Sequence, residues 1–378
     1  MVHMSIVRAT LAAVVLAFAA APLGALDYVT INRNGTQREL AGKIEVEAAD
    51  GSILFLAPDG ELWMLLKVEI VGRRSDAKPF VALTQDELAK QLQADLPGFK
   101  IHNTRNYLIA YNTSPAYAQW VGALFERLHG GFYKYWKTAG ADLHEPKFPL
   151  VALVFKDQAS YQQYTSRELG AAAGSMFGFY SLTSNRMTTY DLTGIEEAGG
   201  GAKSTERIQQ ILQQPKAERT VATIIHEATH QLSFNSGLQV RFTEMPFWLS
   251  EGLAIYFETP DLNNNKGWGK IGAVNRVNLQ QFRQARQRRP ELAKLLTDDK
   301  RFRDPKTSAD AYSEAWAFTY FLLRTRREEY VKYLRSLASR PLMEYQEPDE
   351  RLQEFQKFFG SDLPALETEF LRYMQQVR

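Results

Sequence analysis

A chain of 378 residues, of which 45% are hydrophobic and 23% charged, can bury a large core and has the composition of a soluble globular protein. Its formal net charge of +2 gives no indication of a nucleic-acid partner, and the absence of cysteine excludes thiol catalysis, disulfides and thiolate metal ligands. Histidine and carboxylate side chains are therefore the ligands available for a metal such as zinc.

The N-terminal segment has the pattern of a secretory signal peptide. Arg8 precedes an apolar run over 11–21, which is too short to span a bilayer comfortably, and small residues ending at Ala25 follow it. The pattern predicts a signal peptide over residues 1–25, with an uncleaved membrane anchor as the alternative. We expect an exported protein, periplasmic or extracellular, with no stable membrane insertion after the signal is removed.

Residues 26–75 are predicted to form a small β-rich domain. Turn dipeptides such as Asn34-Gly35 and Asp59-Gly60 separate four strand candidates, which are 28–31, 43–46, 52–56 and 67–71. The polar run 73–79 is typical of a linker. Residues 76–96 are predicted to be a linking segment with one amphipathic helix, which begins at a capping box formed by Thr84 and Glu87.

The remainder, residues 97–378, is predicted to be an α+β domain with a mixed sheet and a helical C-terminal part. Strands are expected at 106–111 and 150–155, and a long helix with an aromatic stripe between them. A hairpin over 177–180 and 187–192 has the alternation of an edge strand. It is either an ordinary hairpin or the edge that holds a substrate backbone in zinc peptidases.

An HExxH motif, His226-Glu227-Ala228-Thr229-His230, lies in a segment predicted to be helical from Glu218 to about Phe234. Residues four apart project from the same face of a helix, so His226 and His230 can direct two imidazoles to one zinc ion. Glu227 lies beside them, where it can deprotonate a water molecule without being a ligand.

A second helix, predicted over 247–257, carries Glu251 in an otherwise apolar segment. Burial of an unpaired charge costs several kcal/mol, so Glu251 is expected to face a cation. It is the best placed third ligand; Glu244, Glu258 and Asp261 are the alternatives considered. Gly252 beside it is expected to let the two helices approach each other.

The HExxH motif followed by Glu251 within Trp248-Leu249-Ser250-Glu251-Gly252-Leu253-Ala254 resembles the gluzincins, the zinc metallopeptidases of the MA clan. Together with the segment 312–317, it is most similar to a little-characterised group of exported bacterial proteins. The resemblance implies that His226, His230 and Glu251 bind Zn²⁺ and that Glu227 is the general base.

The resemblance also implies that Tyr312 stabilises an oxyanion, although Tyr312 also fits a core position on a helix. Ile255 stands where related enzymes carry the acidic residue that orients the first histidine. Another group must therefore orient His226.

These observations predict a zinc-dependent hydrolase of peptide bonds, with a peptide or protein substrate. Cell-wall peptide is one possible source of that substrate. The alternative is a zinc-binding scaffold protein of the cell envelope without catalytic activity. The oligomeric state does not follow from the sequence.

Overall fold

The computed structural model describes residues 25–195, 204–212, 214, 217–259, 268, 270–285 and 291–378. Apart from Ala25, the predicted signal peptide lies outside these residues. The described chain has an α+β architecture, as predicted, with two sheets in the N-terminal half and a helical C-terminal part. None of its helices has the length and apolarity needed to cross a membrane.

The first sheet is an antiparallel meander, which we call the β-unit (residues 25–79). Its strands are β1 (Ala25–Arg33), β2 (Thr36–Glu47), β3 (Ile53–Leu56), β4 (Leu62–Leu65) and β5 (Ile70–Pro79). Their order is β4-β3-β2-β1-β5. Asn34 and Gly35 both have positive φ, as the turn between β1 and β2 requires. A separate small core that includes Val29, Ile53 and Phe55 holds the meander together.

Two details of the β-unit differ from the prediction. The polar run 73–79 is not a linker but belongs to β5, which pairs with β1. An edge strand with most of its side chains in solvent can be polar, so its composition resembles that of a loop. The predicted strand at 67–71 is mostly wrong as well, because Lys67–Glu69 form a 3₁₀ turn between β4 and β5.

The second sheet is mixed and supports the candidate site. Its strands are β6 (Lys100–Asn103), β7 (Tyr107–Tyr111), β8 (Leu150–Phe155), β9 (Gly178–Tyr180) and β10 (Arg186–Tyr190), in the order β6-β7-β8-β10-β9. β8 runs parallel to both β7 and β10, and all six of its residues are buried. The unbroken apolar run at 150–155 thus correctly predicted a central strand. β9 is antiparallel to β10 and forms the edge.

Twelve α-helices are described. They are α1 (Gln85–Asp95), α2 (Pro115–Thr138), α3 (Gln158–Leu169), α4 (Thr205–Leu212), α5 (Glu218–Asn235), α6 (Phe247–Glu258), α7 (Arg276–Ala285), α8 (Leu292–Thr297), α9 (Ser308–Thr325), α10 (Arg327–Ala338), α11 (Pro348–Phe359) and α12 (Leu363–Gln376). The predicted capping box of Thr84 and Glu87 begins α1.

Helix α6 is packed between α5 and α9 in the main core. Gly252 permits this arrangement, but not in the way expected from the sequence. A Cβ atom at Gly252 would lie 2.3 Å from Thr319 Oγ1 and 2.5 Å from the Ala315 carbonyl oxygen, both on α9. The glycine therefore brings α6 close to α9 and leaves the side of α6 that carries Glu251 free to face α5.

Candidate metal centre

Helix α5 presents the two histidines of the HExxH motif. It runs from Glu218 to Asn235 and ends before Gly237, whose φ of 80° no β-carbon-bearing residue adopts easily. Ile224, Ile225 and Ala228 are fully buried against the core, which fixes the rotation of the helix about its axis. His226 and His230 consequently project from the opposite side, with their Nε2 atoms 3.1 Å apart.

Helix α6 brings Glu251 to the same point. Its Oε2 lies 3.1 Å from His226 Nε2, and its Oε1 lies 3.6 Å from His230 Nε2. The ligand atoms of the three residues all lie within 4.8 Å of one another. This group could hold a metal ion, and the three predicted ligands therefore do converge.

The donor atoms fit zinc in kind, and their separations of 3.1–3.6 Å are close to those that zinc requires. A tetrahedral zinc ion with bonds of about 2.0–2.2 Å holds its donor atoms about 3.3–3.6 Å apart. Two imidazole nitrogens and one carboxylate are also a donor set that zinc accepts in catalytic sites. Nitrogen lone pairs that face each other at this distance repel unless a cation or a proton lies between them.

The electrostatics of the group favour a positive charge. Burial lowers the pKa of His226, but Glu251 and Glu258 outweigh it, so the pKa lies well above its ordinary value. Burial raises the pKa of Glu251, yet His230 and His226 hold it well below its usual range. Two carboxylates thus stabilise either a proton or a metal ion at the imidazoles.

Glu258 is the residue that orients His226, and sequence reasoning missed this role. Its Oε2 lies 2.7 Å from His226 Nδ1, so that nitrogen carries hydrogen and Nε2 is left to bind a metal. Asn275, just before α7, donates in turn from Nδ2 to Glu258 Oε1 over 3.1 Å. From the sequence, Glu258 is a less favourable third ligand than Glu251, because it falls at a helix end. Its spacing of two helical turns from Glu251 was the signal available in the sequence.

The other histidine is held less tightly. The hydroxyl of Ser250 lies 3.4 Å from His230 Nδ1 and 3.4 Å from Gln239 Oε1. These are long contacts to an uncharged hydroxyl, in contrast to the short bond between His226 and a carboxylate. The two ligands therefore differ in how firmly their rings are fixed.

Glu227 lies next to the group without joining it. Its side chain is 6% exposed, and its Oε2 accepts a hydrogen bond of 2.8 Å from the backbone N–H of Tyr180 on β9. Among the described residues no donor contacts Oε1. The carboxylate is therefore anchored through one oxygen and has the other free for proton transfer.

Tyr312 lies on α9, and its half-buried side chain lines the same cleft. Its ring meets that of Phe302 edge-on, with centroids 5.2 Å apart. Burial raises the pKa of Tyr312 well above its ordinary value, and the charges of Glu251 and Glu227 raise it further. The hydroxyl therefore stays protonated near both carboxylates, as a hydrogen-bond donor must.

The remaining candidates for a third ligand are engaged elsewhere or not described. Glu244 is buried, forms an ion pair with Arg351 and lies 4.0 Å from Arg340. Asp261 lies outside the described residues. Glu251 is the acidic residue that the structure groups with the two histidines.

The group opens into a cleft of about 3290 Å³. Edge strand β9 and helix α5 line one part of it, and the segment 341–348 lines another. The β-unit also contributes, through residues of β2, β3 and β4. Pockets for small molecules usually measure about 300–1,000 Å³, so this cleft has room for a much larger ligand.

Comparison with known proteins gives one family. The family described as "Protein of unknown function (DUF1570)" matches residues 220–344, about a third of the chain. The matched range contains His226, Glu227, His230, Glu251 and Tyr312, and it excludes the β-unit and β9. No match is found among curated proteins.

Proposed function

We propose that the protein is a zinc-dependent hydrolase of peptide bonds, similar to the gluzincins. The observation that carries the proposal is the convergence of His226, His230 and Glu251, with the carboxylate of Glu227 held beside them but not among them. The three residues would hold Zn²⁺ and leave a fourth position open. Bound zinc supplies Lewis-acid chemistry, which polarises a carbonyl oxygen and acidifies a water molecule.

The chain's own residues would move the protons. Glu227, fixed at Oε2 by the Tyr180 N–H, would accept a proton from the attacking water at Oε1. The Tyr312 hydroxyl would donate a hydrogen bond to the oxyanion that forms at the carbonyl. Glu227 would then pass its proton to the leaving amine, which completes the hydrolysis.

The substrate in this proposal is a peptide or protein, with cell-wall peptide as one source. Strand β9 pairs with β10 on one side, and its other side faces the cleft. An extended peptide could add to that edge by hydrogen bonds to backbone groups other than the Tyr180 N–H, which binds Glu227. We also propose that the protein is exported and acts in the periplasm or outside the cell, as its N-terminal pattern indicates.

Metal content and activity of purified variants test the proposal together. We expect about one equivalent of zinc in the wild type and in Glu227→Gln, and loss of zinc in His230→Ala and Glu251→Ala. The wild type should hydrolyse casein or isolated peptidoglycan peptides, and Glu227→Gln should not. His144→Ala, which changes an exposed histidine far from the group in sequence, serves as the control and should keep both properties.

Turnover by Glu227→Gln would overturn the assignment of the general base. Zinc that persists in Glu251→Ala would overturn the ligand set. A wild type that holds zinc but cleaves neither substrate would favour the scaffold alternative.

A further inference from the structure

The β-unit contacts the edge hairpin of the second sheet through a backbone hydrogen bond and an ion pair. The backbone N–H of Leu62, the first residue of β4, donates to the carbonyl oxygen of Thr183, in the turn between β9 and β10, over 2.8 Å. Asp59 and Arg186 form an ion pair of 3.2 Å, with 8% and 12% of their side chains exposed. Gln91 donates a further hydrogen bond to Asp59 over 3.0 Å.

The hairpin that receives these contacts also holds the proposed general base. It carries β9, whose Tyr180 N–H binds Glu227. Arg241, beyond the end of α5, donates to the Leu182 carbonyl oxygen over 3.0 Å. The β-unit, the hairpin and the metal-binding helix are therefore linked by direct contacts. The wall that the β-unit adds to the cleft is thus joined to Glu227 through the hairpin.

That wall presents apolar side chains to the cleft. Met64 and Leu66, at the end of β4, are 38% and 51% exposed and line the same cleft as the metal-binding group. Exposed apolar side chains that line a functional cleft are typical of a ligand-binding surface. Val68 and Val71 follow on the same part of the β-unit, with 87% and 52% exposure, but they do not line the cleft.

Carboxylates also outnumber basic residues along the cleft, although the whole chain has a formal net charge of +2. Among the described residues that line it, fourteen are Asp or Glu and six are Lys or Arg. In the part contributed by the β-unit, Glu45 and Glu47 form ion pairs with Lys43 and Arg73, whereas Asp50 has no cationic partner among the described residues. A ligand that carries positive charges is attracted to such a surface.

We propose that the wall formed by Met64 and Leu66 binds a distal segment of an extended polypeptide substrate, one that carries apolar and basic side chains. This proposal rests on the proposed function for the hydrolysis, but it concerns binding of the substrate at the β-unit, away from the candidate metal centre. Substrates long enough to reach from the metal-binding group to the β-unit would gain affinity there, and short ones would not.

A binding measurement tests this without turnover. Glu227→Gln protein, which retains the cleft, is titrated into a labelled peptide of about twenty leucine and lysine residues and, separately, into a labelled tripeptide. In the Glu227→Gln background, Met64→Lys/Leu66→Lys removes the apolar contacts and adds two positive charges that repel the lysine residues of the peptide. We expect the Kd for the long peptide to rise about tenfold or more and that for the tripeptide to stay unchanged.

The matched control is Val68→Lys/Val71→Lys, which adds the same charges to the same unit outside the cleft. We expect its Kd for the long peptide to stay within about twofold of the parent. Equal weakening by both double variants, or none by either, would overturn the proposal. Light scattering gives a further outcome. If the wild type is a dimer and Met64→Lys/Leu66→Lys is a monomer, the surface is a dimer interface and the proposal is overturned.

The two proposals can fail separately. Loss of long-peptide binding in Met64→Lys/Leu66→Lys supports the binding surface even if the wild type hydrolyses nothing. If the wild type hydrolyses the long peptide and both double variants lower that rate equally, the proposed hydrolase activity stands and the proposed binding surface is wrong.

Discussion

The two histidines of the candidate metal centre are fixed by different partners, and this difference should affect the affinity for a metal ion. His226 is bonded to a carboxylate at 2.7 Å, whereas His230 is 3.4 Å from a hydroxyl. A carboxylate partner selects the tautomer and makes the imidazole a stronger ligand. Glu258 should therefore contribute to zinc affinity although it is not a ligand itself.

We expect Glu258→Ala to weaken zinc binding about 10–100-fold, because His226 loses both its orientation and the carboxylate that polarises it. Competition with a chromogenic chelator measures the Kd. Glu218→Ala removes an exposed carboxylate from the first turn of α5, the helix that carries His226, and should leave the Kd unchanged. An unaltered Kd in Glu258→Ala would show that packing alone orients His226.

Tyr312 can be tested by removal of a single oxygen atom. We expect Tyr312→Phe to lower kcat about 10²–10³-fold with little change in KM, since the hydroxyl would act on the oxyanion of the transition state. Zinc content should stay the same. Tyr345→Phe, at an exposed tyrosine that lines the same cleft, is the control and should keep full activity. Full activity in Tyr312→Phe would make Tyr312 a packing residue.

At the scale of elements, α5 and β8 were predictable because each carries its signal in its own sequence. The apolar residues of α5 recur with the period of a helix, and β8 is apolar throughout. Strand β5 lacked such a signal, since its polar side chains face solvent and its partner β1 lies about forty residues earlier. The hydrogen bond between Leu62 and Thr183 likewise joins the start of β4 to a turn more than a hundred residues away, so no local sequence pattern signals it.

The contact between α6 and α9 depends on Gly252, and this can be measured. An alanine methyl group would overlap Thr319 Oγ1 at 2.3 Å and the backbone of Ala315 at 2.5 Å. We expect Gly252→Ala to lower the free energy of unfolding by about 1–3 kcal/mol, because α6 and α9 must move apart. Urea denaturation gives the value. Zinc affinity should fall too, since α6 carries Glu251.

Gly130→Ala in α2 is the matched control. A Cβ atom there meets nothing within 4 Å, so the variant should gain up to about 1 kcal/mol from helix propensity. If Gly252→Ala proved as stable as Gly130→Ala, the close approach of α6 and α9 would have no energetic consequence.

For the whole molecule, the distribution of charge matters more than its sum. A formal net charge of +2 suggests a nearly neutral protein, yet carboxylates predominate among the residues that line the cleft. Composition could not reveal this, because the cleft collects residues from the β-unit, from α5 and α6, and from the segment 341–348. The site itself was predictable from a local motif, whereas its surroundings depend on how distant parts of the chain assemble.

A metal ion shared by α5 and α6 should also stabilise the folded chain. A ligand that binds the folded state alone contributes about 4 kcal/mol when its free concentration is about 1,000 times its Kd. We expect EDTA to lower the Tm of the wild type and of Glu227→Gln by roughly 5–10 °C relative to zinc-containing buffer. His230→Ala and Glu251→Ala should melt at the same temperature in both buffers, because each lacks one of the three donors. Differential scanning calorimetry measures the four proteins side by side. A zinc-dependent Tm that survives in Glu251→Ala would mean that the ion binds the two helices through other residues.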